Sequence, residues 1–211
     1  MFYAGHNELL VGKAIEPFRK KIVLATKMHV RPDEFGTDKT LLNAVRAHLE
    51  ASMKNLRTDY VDLYYLHRVN AEVSVEAVAD AMGSLIKEGL IRGWGLSQVS
   101  ADILGKAHAV TPVTAVQNLY SMLERDCERE IFPYCLQNNI GVVPLSPIAS
   151  GAPSGKVTET TTFEGDDGRK LVPQLTKANR AANRPVLDIL AEFSARQNAT
   201  NAQVSVAWRL H

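Results

Sequence analysis

Only two cysteines occur in the 211 residues, Cys127 and Cys135. A single pair this close gives neither a disulfide framework nor a zinc pattern, and reads as two reduced, partly buried thiols. An excess of one charge is also lacking: 24 Lys and Arg stand against 23 Asp and Glu. No electrostatic footprint for nucleic acid or an anionic membrane follows from such a balance. No apolar run reaches the ~18 residues that a membrane span needs. The opening Met1-Phe2-Tyr3-Ala4-Gly5-His6 is not organised like a secretory signal. These absences point to a cytoplasmic protein with no nucleic-acid and no membrane partner. His29, His48 and His108 show no ligand spacing, so no metal is expected. No Gly-x-Gly-x-x-Gly follows a strand, which weakens an open dinucleotide-binding sheet.

What is present is a rhythm of short apolar runs and amphipathic helices. Hydrophobic residues make up 45% and charged residues 22%, ordinary values for a folded domain. Strands are predicted at 22–26, 61–66, near 91–96, 113–117 and 141–145. Leu41, Val45, Leu49, Met53 and Leu56 step by three and four and mark one face of a helix over 40–56. Ser74 is a candidate N-cap for a helix burying Val75, Val78, Met82, Leu85 and Ile86, with Gly89 at its end. Helices are also expected at about 101–109 and 128–138. Such β-then-α alternation gives a parallel sheet, open or closed into a barrel. The strands are apolar enough to be covered on both faces. A stretch rich in Gly, Ser, Thr, Pro and Asp, 148–184, breaks the rhythm. Pro185 then opens a helix carrying Val186, Leu190 and Phe193, and Thr200 with Gln203 forms a capping box for a last one. No linker divides the chain, so residues 1–211 read as one domain.

In a barrel of this kind, chemistry gathers at the carboxyl ends of the strands. The first strand ends at Lys27, the second at His67 and the third at Ser97 and Gln98. The fourth ends at Gln117 and Asn118, and the fifth at Leu145 and Ser146. A lone lysine there is usually a solvated charge, a lone histidine a satisfied structural group, and Ser or Gln often caps the next helix. Recurrence at one rim favours a shared site without naming the reaction.

Several segments, in register, resemble the aldo-keto reductases. They are Ala25-Thr26-Lys27, the run from Leu49 through Tyr60-Val61-Asp62-Leu63-Tyr64-Tyr65-Leu66-His67-Arg68, and Gly93-Trp94-Gly95-Leu96-Ser97. Val116-Gln117-Asn118-Leu119-Tyr120-Ser121 and Pro144-Leu145-Ser146-Pro147 follow in the expected order, with 152–180 divergent. The resemblance implies an α/β (β/α)₈ TIM barrel with about five of its eight βα units present. It also implies NADPH as cofactor and a small-molecule carbonyl substrate, aldehyde or ketone, reduced by hydride transfer. Its catalytic set is Asp, Tyr, Lys and His. Lys27 would lower the pKa of the tyrosine proton donor, and His67 would orient the carbonyl. Ser97 and Gln117 would hold the nicotinamide carboxamide, with Gln98 assisting. Leu145 would lie against the ring, and Ser146 and Ile148 along the pyrophosphate.

On the family pattern, an Asp-Thr-Ala strand precedes the tyrosine, and a last strand binds the 2′-phosphate; the sequence is expected to start after the one and stop before the other. Asn7-Glu8-Leu9-Leu10-Val11-Gly12-Lys13 resembles the helix that follows the tyrosine. Tyr3 is therefore one candidate for it, and a residue upstream is the other. A chain so shortened is expected to be unstable or inactive by itself. Two other readings remain: a cofactor-binding interaction module marked by an apolar surface patch, and an unrelated (β/α)₈ hydrolase using His67.

Overall fold

The computed structural model describes residues 5–36 and 39–210. Five strands form one sheet in sequence order: β1 (Ala25–Met28), β2 (Val61–Leu66), β3 (Ile91–Ser97), β4 (Ala115–Leu119) and β5 (Gly141–Leu145). The pairings of β1 with β2, β2 with β3 and β3 with β4 are parallel. Consecutive neighbours joined by helical crossovers are what the alternating sequence required. The crossovers are α2 (Leu41–Leu56), α3 (Val75–Lys87), α4 (Ala101–Val110) and α5 (Ile131–Gln137), and α1 (His6–Ile15) precedes the sheet.

The chain divides into two compact units, Met1–Gln117 with Glu130–Val143, and Asn118–Arg129 with Pro144–His211. In the first, β2 and β3 are almost wholly buried. Trp94, Tyr64, Leu49, Met82 and Leu85 are its largest fully buried side chains. Leu49, Met82 and Leu85 each contribute about 1.5–3 kcal/mol relative to exposure. Ser74 caps α3 as foreseen, accepting from the Ala77 N–H, and Thr40, which the sequence reading placed at the start of the helix, caps α2 by accepting from the Asn43 N–H. Gly12 lets α1 approach α2 closely, since a Cβ there would lie 2.5 Å from the Asn55 carbonyl oxygen.

Two strands differ from their expected positions. β1 begins three residues late, because the Leu24 N–H bonds to the Asp62 carboxylate at 2.9 Å instead of a strand partner. Lys27 therefore lies inside the strand. β4 is displaced by two, because the Val113 N–H goes to the His108 ring at 3.0 Å. An apolar residue at a turn had looked like the start of a ladder.

In the second unit, the 148–184 stretch is built from 3₁₀ turns at 149–154, 168–171 and 173–175, then α6 (Lys177–Ala182). Ala149, Ala152 and Leu175 form a small buried core beneath it. α7 (Arg184–Arg196) and α8 (Asn201–Ala207) follow, and α8 carries the foreseen capping box of Thr200 and Gln203. Tyr120 stacks on Trp208 at 5.4 Å between ring centroids. Among α7's apolar residues only Leu190 is buried, while Val186, Ile189 and Phe193 are exposed.

Candidate active site

The parallel register brings the residues of the first unit together. Lys27 pairs with Tyr65, and Tyr65 in turn with Gly95. The His67 N–H donates to the Met28 carbonyl at 2.8 Å, which sets His67 just past the end of β2 and beside β1. Lys27, Met28, His29, His67 and Arg68 line one cleft of about 1150 Å³. Ser97 pairs with Gln117 across β3 and β4, and the Gln98 N–H donates to the Gln117 carbonyl at 2.9 Å. Gln98 has a φ of 57°, a left-handed conformation that costs a non-glycine residue energy. It turns the chain out of β3 at the rim.

Electrostatically the cleft is crowded with cations. Partial desolvation of the Lys27 ammonium, then the like charge of Arg68, lowers its pKa below the ordinary lysine value. The His67 pKa is likewise lowered, first by burial, then by His29, Arg68 and Lys27. The His29 and His67 rings lie 4.5 Å apart. Arg68 donates to the His67 carbonyl at 2.6 Å and to the Ser97 hydroxyl at 3.1 Å. The Lys27 ammonium sits over the Tyr65 ring, 5.5 Å from its centroid. Glycine at 95 makes this possible, because a Cβ there would collide with the Tyr65 ring and with the Ala115 carbonyl oxygen.

The sequence reading missed Tyr65, Gly95, Arg68 and His29. The signal for Tyr65 was present: it precedes His67 by two in a strand, so both face the same side. Glycine at a position paired with an aromatic was the second clue. Two of the histidines set aside as non-ligands have structural partners, His48 with Glu34 at 3.0 Å and His108 with the Val113 N–H. Tyr3 lies outside the described residues. Leu145, Ser146 and Ile148 belong to the second unit and are half-buried. There Ser146 has a φ of 55°, and its hydroxyl accepts from the Ser150 N–H at 3.2 Å. Residues 149, 150 and 151 are successively left-handed, and the Ala149 and Gly151 N–H groups donate to the Ser146 and Ile148 carbonyls at 2.8 and 2.7 Å.

A parallel α/β sheet with polar groups gathered at its strand ends defines the class, and comparison gives the family. The aldo/keto reductase family profile matches residues 1–211, and the chain belongs to that family. A probable aldo-keto reductase 1 of Glycine max is 36% identical over 214 residues, covering 100% of this chain and 61% of that protein. The glycerol dehydrogenase AKR11B4 of Gluconobacter oxydans superposes with a TM-score of 0.86 at 26% identity, over 98% of this chain and 65% of that one. An aldo/keto reductase of Klebsiella pneumoniae, crystallised with NADP and acetate, gives 0.72 at 25% identity, over 99% and 62%. The chain thus spans under two thirds of the length of each of these relatives.

Proposed function

We propose that the protein works as an NADPH-dependent reductase of small aldehydes or ketones in the cytoplasm. The observation that carries this reading is that Lys27 of β1 and His67, just past the end of the adjacent parallel strand β2, line the same cleft. Bound NADPH would supply a hydride to the carbonyl carbon, and a tyrosine hydroxyl the proton to its oxygen, giving the alcohol and NADP. Tyr3 is our candidate for that tyrosine. A phenol of pKa near 10 is a poor acid at neutral pH, and the Lys27 ammonium would bring it down. His67, kept neutral by its lowered pKa, can donate one ring N–H to the carbonyl oxygen and orient it.

The residues at the strand ends fit a nicotinamide. A carboxamide needs both a donor and an acceptor, and the Ser97 hydroxyl with the Gln98 and Gln117 amides offers both. In the second unit, Ser146 and Ile148 are our candidates to lie along the pyrophosphate, and Leu145 to lie against the ring. The Klebsiella relative crystallised with NADP supports this choice of cofactor.

The test is carbonyl-dependent oxidation of NADPH, with NADH in parallel. Lys27→Met should lower kcat/KM by on the order of 100-fold or more, the usual scale of acid–base assistance. Turnover unaffected by Lys27→Met would refute the assignment. The interaction-module reading keeps one observation in its favour. Val186, Ile189 and Phe193 line an apolar cleft of about 600 Å³ in the second unit. Cofactor binding without measurable turnover would favour that reading instead.

A further inference from the structure

The charges lining the cleft do not cancel evenly. Among the described residues that line it, the one carboxylate is Glu34. That group is already taken: it accepts from the Arg31 backbone N–H at 3.0 Å, pairs with the Arg31 guanidinium at 3.3 Å and meets His48 at 3.0 Å. Arg31 also faces Asp33 at 3.6 Å. This outer group is neutralised within itself. Lys27 and Arg68 have no carboxylate partner among the described residues, and two imidazoles stand beside them.

Of these, Arg68 is the group whose geometry is fixed for an incoming anion. Its Nη1 is held by the His67 carbonyl at 2.6 Å and the Ser97 hydroxyl at 3.1 Å, so the guanidinium is tied to the ends of two strands. Its Nε and Nη2 meet no protein acceptor among the described residues. Those two nitrogens form the edge of the guanidinium that grips an oxyanion with two parallel hydrogen bonds. Lys27 has its own task in the proposed reaction, so it is not the group that waits for this charge.

We propose that Arg68 determines specificity by anchoring the carboxylate of an anionic carbonyl substrate, a short oxo acid whose carbonyl lies at His67. The inference rests on the reductase reading above. Arg68 follows His67 directly in the chain, so the carboxylate and the reacting carbonyl must be only a few bonds apart. Binding such an anion also relieves the crowding of like charges in the cleft. The same two-pronged chemistry would suit a phosphate of the dinucleotide, and the experiment separates the two sources.

The measurement is kcat/KM for 4-oxobutanoate against its methyl ester, together with the KM for NADPH, in the wild type and in Arg68→Met. The pair shares one aldehyde and differs at the far end, a carboxylate against a neutral methyl ester. A preference for the free acid on the order of tenfold is expected, the scale of a charge-assisted pair in a partly exposed cleft. Arg68→Met should bring the ratio toward one through the KM of the acid, and Arg68→Lys should recover part of it. Equal use of acid and ester by the wild type overturns the inference and leaves the reductase reading standing. A loss that falls on the KM for NADPH overturns it in favour of a cofactor phosphate. If neither compound is reduced, the reductase reading fails, and calorimetry with butanedioate decides the anion site. Binding that disappears in Arg68→Met sustains an anion anchor there, and binding indifferent to Arg68 overturns it.

Discussion

Asp62→Ala tests the stability argument most directly. The Asp62 carboxylate is 7% exposed and takes three donors: Arg19 at 2.8 Å, Arg92 at 3.1 Å and the Leu24 N–H at 2.9 Å. Arg19 is itself buried, with its side chain 9% exposed. Removing one partner of a buried ion pair costs about 3–5 kcal/mol, mostly because the other charge is left without a counter-ion. Here Arg19 keeps the Thr58 hydroxyl at 3.0 Å, the Tyr60 carbonyl at 2.9 Å and the Tyr60 ring face at 4.1 Å. Those contacts move the figure to the lower end of the range. The stranded Leu24 N–H moves it up again by about 1 kcal/mol or more. A loss of about 3–4 kcal/mol is therefore expected. Arg92→Ala is the control, because that guanidinium is 66% exposed. It should cost less than about 1 kcal/mol. Urea unfolding of both variants, read as the shift in midpoint at unchanged slope, gives the comparison. If Asp62→Ala costs no more than Arg92→Ala, the account of how β1 is anchored is wrong.

Two further outcomes follow from the site. The His67 imidazole should titrate below the ordinary 6.5, and Lys27→Met should raise its midpoint by removing one of the neighbouring charges. Between the lowered native value and 6.5 the unfolded chain binds a proton that the native chain refuses. Stability linked to His67 therefore has no pH dependence above that window and falls as pH drops through it. The ring C–H resonances report the midpoint directly, and a value at or above 6.5 would contradict the charge-crowding account. Gly95→Ala should destabilise by about 1–3 kcal/mol through overpacking against the Tyr65 ring. A thermal melt matching the wild type would show that the ring moves aside without cost.

The strand order and helix caps could be read from the sequence because each depends on local chemistry. Ser74, Thr200 and Gln203 cap helices through contacts with residues three positions away. The starts of β1 and β4 could not be read this way. Both are decided by where a single N–H goes, to Asp62 for Leu24 and to His108 for Val113. Asp62 lies 38 positions from Leu24, and no periodicity registers that separation. For the site, the order of the polar strand ends was legible, and so was the conclusion that Lys27 and His67 share a rim. The crowding was not, since the sequence reading gave Arg68 no role of its own. Its guanidinium is held by the Ser97 hydroxyl of the neighbouring strand, 29 positions further on.

The tyrosines of β2 sharpen the assignment of the proton donor. Tyr65 is the aromatic beside Lys27, yet the ammonium lies over its ring and burial pushes its pKa up to about 12. A phenol so shifted holds its proton too tightly to serve at neutral pH. Tyr64 is excluded more strongly. It is fully buried, its hydroxyl has no hydrogen-bond partner among the described residues, and burial followed by the Glu8 charge raises its pKa. The Glu8 carboxylate meanwhile accepts from the Thr26 hydroxyl at 2.7 Å and from the Asn55 amide at 3.1 Å. That ties α1 to β1 and α2, in the strand that carries Lys27. On the proposed reductase reading, the proton donor is therefore neither tyrosine of β2. Tyr3, the candidate proposed above, lies outside the described residues.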